Sequence, residues 1–501
     1  MTSRVLGLVR DVVLAALLGA AANADAFFVA FKIPNFLRRL FAEGAFAQAF
    51  VPVLADTREQ GGMAAVRELT DRIAGALGGV LLLLTAITIV ASPIVATVFA
   101  PGFTRDPAKL ALTADLIKLT FPYLMLISLT GFAGAILNSY GRFAVPAFTP
   151  VLLNLSLIGF ALGLAPTIAE PTIALALGVL CAGFLQLLFQ VPALTTIQML
   201  PRPRWDWSHP GVRRVMTLMV PALFGVSVSQ INLLLDTVLA SLLPDGSVSW
   251  LYYSDRLTEL PLGVFAIAIA TVILPTLSAL KARDDEQSFR ETLSWAVRSV
   301  LLIAIPATLA LCFLAGPILV TLFHYGAFTA ADVVMARWSL WAYTLGLTAF
   351  MLIKVLAPGF YAREDMKTPV RIGIIAMISN MVLNPILVFP LLWTMNIGHV
   401  GLALATSVSA WINALLLYRG LRNQGLMMNI SRATWAFLGR LAGALCGMVL
   451  VLLWFTPDID WWLAADVWAR AGRILWVCVL GGAVYGGLLW CLGVRAISAP
   501  T

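Results

Sequence analysis

Along most of this chain, apolar residues run for the length of a membrane-crossing helix, stop at a short break, and start again. Such windows fall near residues 4–22, 26–54, 73–99, 111–138, 145–165, 172–198, 213–242, 248–279, 292–323, 333–361, 369–393, 398–418, 434–456 and 471–494, about fourteen in all. A crossing helix needs about 20 predominantly apolar residues, and the breaks are short, many marked by Pro or Gly, as at Pro101-Gly102 and Pro244-Asp245-Gly246. The composition agrees. Hydrophobic residues make up 60% and charged residues 12%, where soluble domains carry roughly 45–50% and about 25%. With the polar surface that water requires removed, the solvent is lipid. The predicted fold is an all-α polytopic membrane protein with no room for a sizeable soluble domain.

The basic residues set the orientation. Taking alternate loops from a cytoplasmic start, one set holds seventeen Lys and Arg, among them Arg58, Arg67, Arg142, Arg214, Lys281, Arg363 and Arg422; the other holds Arg105, Lys109, Arg470 and Arg473. The positive-inside rule then places both termini in the cytoplasm. It also explains the net charge of +8 without any nucleic-acid partner. Cys181, Cys312, Cys446, Cys478 and Cys491 stand singly in apolar runs, without CxxC or a nearby His, so neither a disulfide framework nor a metal site is indicated. His209, His324 and His399 fall in predicted loops and form no cluster. The first window imitates a signal peptide, but another apolar stretch with embedded charges follows at once.

The sequence also repeats. Leu119-x-x-Pro122 aligns with Leu340-x-x-Tyr343, Tyr140-x-Arg142 with Tyr361-x-Arg363, Pro146 with Pro369, and Pro52-x-Leu54 with Pro275-x-Leu277, all at nearly one displacement. Six windows separate equivalent positions, an even number, so the halves are parallel repeats about an axis along the membrane normal. The expected organisation is an N-terminal lobe over 1–200, a C-terminal lobe over 205–425, and two additional helices within 426–501. Transporters place substrate at such repeat interfaces and rock one half against the other.

An ionised side chain at the bilayer centre costs roughly 2.5–3.5 kcal/mol on insertion scales, so charges inside windows mark function. They concentrate in four helices: Arg4, Arg10 and Asp11 in the first; Asp25, Lys32, Arg38, Arg39 and Glu43 in the second; Asp255, Arg256 and Glu259 in the eighth; Lys354 in the tenth. Asp25, Lys32, Arg39 and Glu43 lie near whole turns of one another, as do Asp255 and Glu259, which suits inward-facing stripes. Pro34 shifts the phase of the second helix, leaving open whether Arg38 or Arg39 points inward. Arg4, Asp25, Asp255 and Arg256 can also sit near helix ends and snorkel. Excess Arg with interleaved carboxylates suits a phosphate or diphosphate headgroup, because guanidinium binds phosphate bidentately and is always charged. With no Walker loop, membrane potential is the expected driving force, about 2.3 kcal/mol per charge per 100 mV.

At these residues the chain resembles a known family. Ser3-Arg-Val-Leu-Gly7 with Arg10-Asp11, the run Asp25-Ala-Phe-Phe-Val-Ala-Phe-Lys-Ile-Pro-Asn-Phe-Leu-Arg-Arg39, and Phe41-Ala-Glu-Gly-Ala-Phe46 are similar to the MurJ (MviN) family. So are Gly225-Val-Ser-Val-Ser-Gln230, Ser247-Val-Ser-Trp250 with Tyr253-x-Asp255-Arg256, and Lys354-Val-Leu-Ala-Pro-Gly-Phe-Tyr361. The resemblance implies a lipid II flippase of the multidrug/oligosaccharidyl-lipid/polysaccharide exporter superfamily. Such a protein sits in the bacterial cytoplasmic (inner) membrane and moves undecaprenyl-diphosphate-linked disaccharide-pentapeptide to the periplasmic leaflet by alternating access; it is a transporter, not an enzyme, with cell-wall synthesis or division machinery as partners. It further implies that Arg10, Asp25 and Arg256 engage the diphosphate and that Arg4, Arg38, Glu43, Glu259 and Lys354 bind substrate or line the cavity or its gates; the charge count adds Asp11, Arg39 and Asp255 to the cavity or gate set. The two additional helices would form a lipid-tail groove. Family members carry further residues before the Ser-Arg-Val-Leu-Gly motif, so the natural N-terminus is expected upstream of Met1. A sodium ion near the seventh, eleventh and twelfth helices is also implied, and Asp236, Asn380, Asn384 and Thr406 offer hard oxygen ligands for it; the alternative is polar residues hydrogen-bonded between helices. The competing functions are a polysaccharide-repeat or drug exporter of the same superfamily and a membrane enzyme acting on polyprenyl phosphate. The enzyme would need a catalytic His or a metal-binding acidic pair at a membrane face.

Overall fold

The computed structural model describes residues 2–39, 46–427 and 432–494, and among these the chain is helical, with no strand. The chain divides into two units. The first, Met1–Ser249, holds α1 (Thr2–Leu18), α2 (Ala22–Arg38), α3 (Phe46–Val90), α4 (Ser92–Phe99), α5 (Pro107–Thr120), α6 (Pro122–Ser139), α7 (Ala144–Gly163), α8 (Pro171–Thr196) and α9 (Pro210–Ser241). α10 (Ser247–Pro261) begins in it and continues into the second, Trp250–Thr501. There follow α11 (Ile267–Ala282), α12 (Glu286–Phe313), α13 (Ala315–Phe323), α14 (Ala330–Tyr361), α15 (Lys367–Met395), α16 (Gly398–Asn423), α17 (Arg432–Phe455), α18 (Ile459–Ala464) and α19 (Val467–Cys491).

Eleven helical stretches among the described residues are long and apolar enough to cross a membrane. They coincide with eleven of the fourteen windows. α1 and α2 fall outside the eleven for a physical reason: each has 17 residues, and Arg4, Arg10 and Asp11, or Asp25, Lys32 and Arg38, interrupt the apolar run. In the third, α9, the apolar stretch is Ile231–Ser241. Windows and helices also differ at their seams. The loop expected between 54 and 73 is helical, bent at Gly62, whose φ of +64° an L-residue rarely adopts. The window 111–138 is two helices parted at Phe121, where Pro122 opens α6 with no N–H to continue the ladder. Pro261 is followed by a π turn, Leu262–Ala266, before α11.

Within the first unit, Phe46 and Phe50 of α3 pack against Phe132 of α6, with ring centroids 5.9 and 5.1 Å apart, and the cluster extends to Leu194 on α8 and Val212 and Val215 on α9. In the second unit α11, α12, α14 and α16 close on Leu277, Leu293, Val300, Met351, Val355 and Leu417. α17 and α19 pack through Met448, Leu452 and Val477 against Leu314. Some helix N-termini are capped by side chains. Thr329 and Asp332 form a reciprocal capping box on α14, and the Asp285 carboxylate accepts from the Ser288 amide on α12; the Ser288 side chain and then its amide hold Asp285 below the usual carboxylate range.

Candidate functional site

Of the charged residues of α1 and α2, Arg10, Asp11 and Asp25 are buried, and each is held by a named partner. The Arg10 guanidinium grips the Asp11 carboxylate through Nε and Nη2, at 3.0 and 2.6 Å, and donates through Nη1 to Asn154 Oδ1 of α7 at 3.0 Å. Asn154 in turn donates to the Ser3 carbonyl at 3.0 Å. Neighbours in a helix do not normally face each other; here the long Arg side chain folds back, and α7 fixes the pair from across the packing. Neutralised and hydrogen-bonded in this way, a buried charge is tolerable in an apolar surround.

Pro34 on α2 has no N–H for the Ala30 carbonyl. The Thr120 hydroxyl of α5 donates to that carbonyl instead, at 3.2 Å, while Asn35 Nδ2 donates to the Phe31 carbonyl at 2.8 Å. α2 therefore continues helical to Arg38, against α5. One face of it carries Asp25, only 1% exposed. Its Oδ1 accepts from the Ser249 N–H and hydroxyl at 2.9 and 2.7 Å, and its Oδ2 from the Gly246 N–H and Lys109 Nζ at 2.8 and 3.2 Å. Lys109 also reaches Asp245 at 2.6 Å and lies over the Phe103 ring. Asp25 thus binds the N-terminal end of α10, where backbone N–H groups lack helical partners and the dipole favours an anion.

The resemblance assigns Asp25 to the diphosphate. In this structure both its oxygens are instead occupied by four protein donors. Arg256 is half-buried, paired with Glu259 at 2.5 Å and 4.9 Å from the centre of the Tyr252 ring. Asp255 is half-buried beside it, whereas Arg4 and Lys354 are exposed. The choice between Arg38 and Arg39 resolves in part: both are half-buried, Arg38 lines a cavity of the first unit, and Arg39 is the C-terminal cap of α2. Glu43 lies outside the described residues. Lys32 donates to Thr237 on α9 at 3.4 Å.

Of the proposed cation ligands, three are brought together in the second unit. Asn380 and Asn384 are fully buried, Asn384 Nδ2 donates to Asn380 Oδ1 at 3.0 Å, and Asn380 Nδ2 donates to Thr406 at 3.3 Å. Asp236 belongs to the other unit, half-buried on α9. Among the described residues, no three His, Cys, Asp or Glu side chains converge to hold a metal.

The profile of the family described as lipid II flippase MurJ matches residues 14–465. The chain belongs to the MurJ family. The probable lipid II flippase MurJ of Haemophilus influenzae is 48% identical over 508 residues, covering 99% of this chain and 98% of the relative. That of Vibrio cholerae is 51% identical over 502 residues, covering 99% and 94%. A solved structure of lipid II flippase MurJ in an inward closed conformation matches with a TM-score of 0.78 at 27% identity, over 97% of this chain and 98% of that one. An inward-facing MATE transporter of the MOP superfamily matches with a TM-score of 0.70 at 14% identity, over 84% and 95%, which shows the shared fold.

Three partners in this MurJ-family chain escaped the sequence reading. By hydropathy Lys109 is a loop charge, yet it is buried between Asp25 and Asp245. Ser249 belongs to the Ser247-Val-Ser-Trp250 motif, to which the resemblance gives no role, and Asn154 stands uncharged inside the apolar window 145–165. A signal existed for Lys109, one of few cations on its side of the chain. Uncharged Asn154 and Ser249 gave none.

Proposed function

We propose that this chain carries lipid II from the cytoplasmic to the periplasmic leaflet of the inner membrane by alternating access. The observation that carries the reading is its likeness, over 99% of its length, to relatives named as lipid II flippases at about half identity. The chemistry supports it: Arg10 and Arg256 are arginines inside apolar helices, each partnered by a carboxylate that a diphosphate can replace as the guanidinium's ligand. Membrane potential biases the movement of that charge. We assign Asp25 to fixing the Gly246–Ser249 stretch that starts α10, on the periplasmic side.

The same reading has fourteen crossings, the eleven apolar spans together with α1, α2 and α9, with both termini cytoplasmic. The order of elements supports two parallel repeats. α4, a one-turn link and the pair α5–α6 are followed by α7 and α8, as α13 and α14 are followed by α15 and α16, and α8 and α16 each have 26 residues. α17 and α19 stand outside the repeat, where a groove for the polyprenyl tail belongs. The closeness of Asn380, Asn384 and Thr406 in the second unit supports the sodium site, and the resemblance adds Asp236 to its ligands. Sodium is then expected to raise the melting temperature of the purified protein, but not that of Asp236→Ala; an equal response removes the site. The transport reading is tested by the leaflet in which lipid II resides in cells that depend on this chain.

A further inference from the structure

The first unit holds an open cavity of about 540 Å³ among α2, α3, α6, α7 and α8, within the size range of small-molecule sites. It is polar where a membrane helix bundle is normally apolar. Tyr123 donates to Gln186 Oε1 at 3.2 Å, Gln186 Nε2 donates to the Thr149 carbonyl at 2.9 Å, and Gln190 Nε2 donates to the Thr130 carbonyl at 3.1 Å. Gln190 is 1% exposed, and its Oε1 has no hydrogen-bond partner among the described residues. A buried acceptor left unmade costs on the order of 1–3 kcal/mol, so its retention calls for a ligand. Gly134 keeps the space beside it open: a Cβ there would lie 3.8 Å from that oxygen and press on Pro146 at 3.3 Å.

The fold does not require the void. Aligning Tyr140 with Tyr361, Pro146 with Pro369, and the equal-length α8 with α16 sets Thr130, Gly134, Thr149 and Gln190 opposite Met351, Val355, Ile372 and Leu417. Those four are packed together in the apolar core of the second unit. The corresponding place there is filled with hydrocarbon; in the first unit it is hollow and lined with amides.

We infer that this cavity receives an amide-bearing part of the translocated headgroup, with Gln190 Oε1 accepting an amide N–H and Arg38 supplying positive charge at the lining. Among the described residues of that lining Arg38 is the charged one, and a guanidinium there disfavours a cation as occupant. The inference rests on the flippase reading and deepens it: the diphosphate is common to all polyprenyl-diphosphate lipids, whereas this pocket reads what is attached. An N-acetylated sugar and a peptide stem share the chemistry, and the test separates them.

The full-length protein in nanodiscs is titrated with three lipids: undecaprenyl diphosphate, the same lipid bearing the disaccharide, and lipid II with its pentapeptide. Gln190→Leu with Thr149→Ile, which writes the second unit's residues into the first, is expected to weaken lipid II binding roughly tenfold and leave undecaprenyl diphosphate binding unchanged. If the loss extends to the peptide-free disaccharide lipid, the sugar is the occupant; if it appears with lipid II alone, the peptide is. Leu153→Trp, which fills the cavity from the α7 wall without touching its hydrogen bonds, carries the same expectation should the double variant fail to fold. Unaltered lipid II binding in both, or an equal loss for all three lipids, overturns the inference while the flippase reading stands. Failure of the wild type to bind any of the three removes both.

Discussion

At the scale of single residues, the membrane makes charge legible and leaves its partners hidden. Arg10, Asp11 and Asp25 stood out in the sequence because an ionised group in hydrocarbon is costly. Their partners lie far along the chain, Asn154 on α7 and Lys109 on α5, and an uncharged amide carries no such cost to betray it. The contacts of Asp25 lead to a graded expectation. Asp25→Ala strands the Gly246 and Ser249 N–H groups, each worth about 1–3 kcal/mol when buried and unmet, and leaves Lys109 with Asp245 as its one carboxylate among the described residues, a side chain that is 65% exposed. Its melting temperature in detergent should fall by several degrees and transport should be lost. Ser249→Ala removes one donor of four and should cost about 1 kcal/mol with transport retained. An Asp25→Ala protein that melts with the wild type contradicts the assigned role. The choice between Arg38 and Arg39 was not legible either, because Pro34 changes the helix phase by an amount that depends on how Ala30 and Phe31 find new donors.

At the scale of elements, hydropathy reported where lipid is met but not where the backbone turns. The windows found the crossings because apolar composition persists along each. It persists equally through Phe121, Ala91 and Leu314, where helices end, and so 111–138 and 292–323 each read as one helix when each is two. Breaks depend on local hydrogen bonding that composition does not record. α2 shows the reverse case, a proline that does not break its helix. Thr120 supplies the Ala30 carbonyl with the donor that Pro34 lacks, so the near-isosteric Thr120→Val should lower stability by about 1–3 kcal/mol through a buried unmet acceptor, while Thr120→Ser stays near wild type. Thermal melting of the two variants decides this, and a Val variant as stable as the Ser variant would show that the proline is tolerated by other means.

At the scale of the whole molecule, the family was legible because its charged motifs run in order along nearly the entire sequence, and the profile match over 14–465 bears that out. The polar cavity of the first unit was not legible: Thr130, Thr149, Gln186 and Gln190 are ordinary uncharged residues in apolar helices, and only packing reveals that they surround a void. Arginines in hydrocarbon together with polar walls in a helix bundle suit the passage of a large anionic headgroup through a barrier that excludes it. The direct measurement is the fraction of lipid II in the outer leaflet of bacteria depleted of their own flippase, read by cleavage with a membrane-impermeant lipid II hydrolase. Cells expressing this chain should restore the cleavable fraction, and cells expressing Arg10→Ala at equal membrane levels should not. Lipid II confined to the inner leaflet despite well-expressed wild-type protein, or restored equally by Arg10→Ala, would contradict translocation through the charged site.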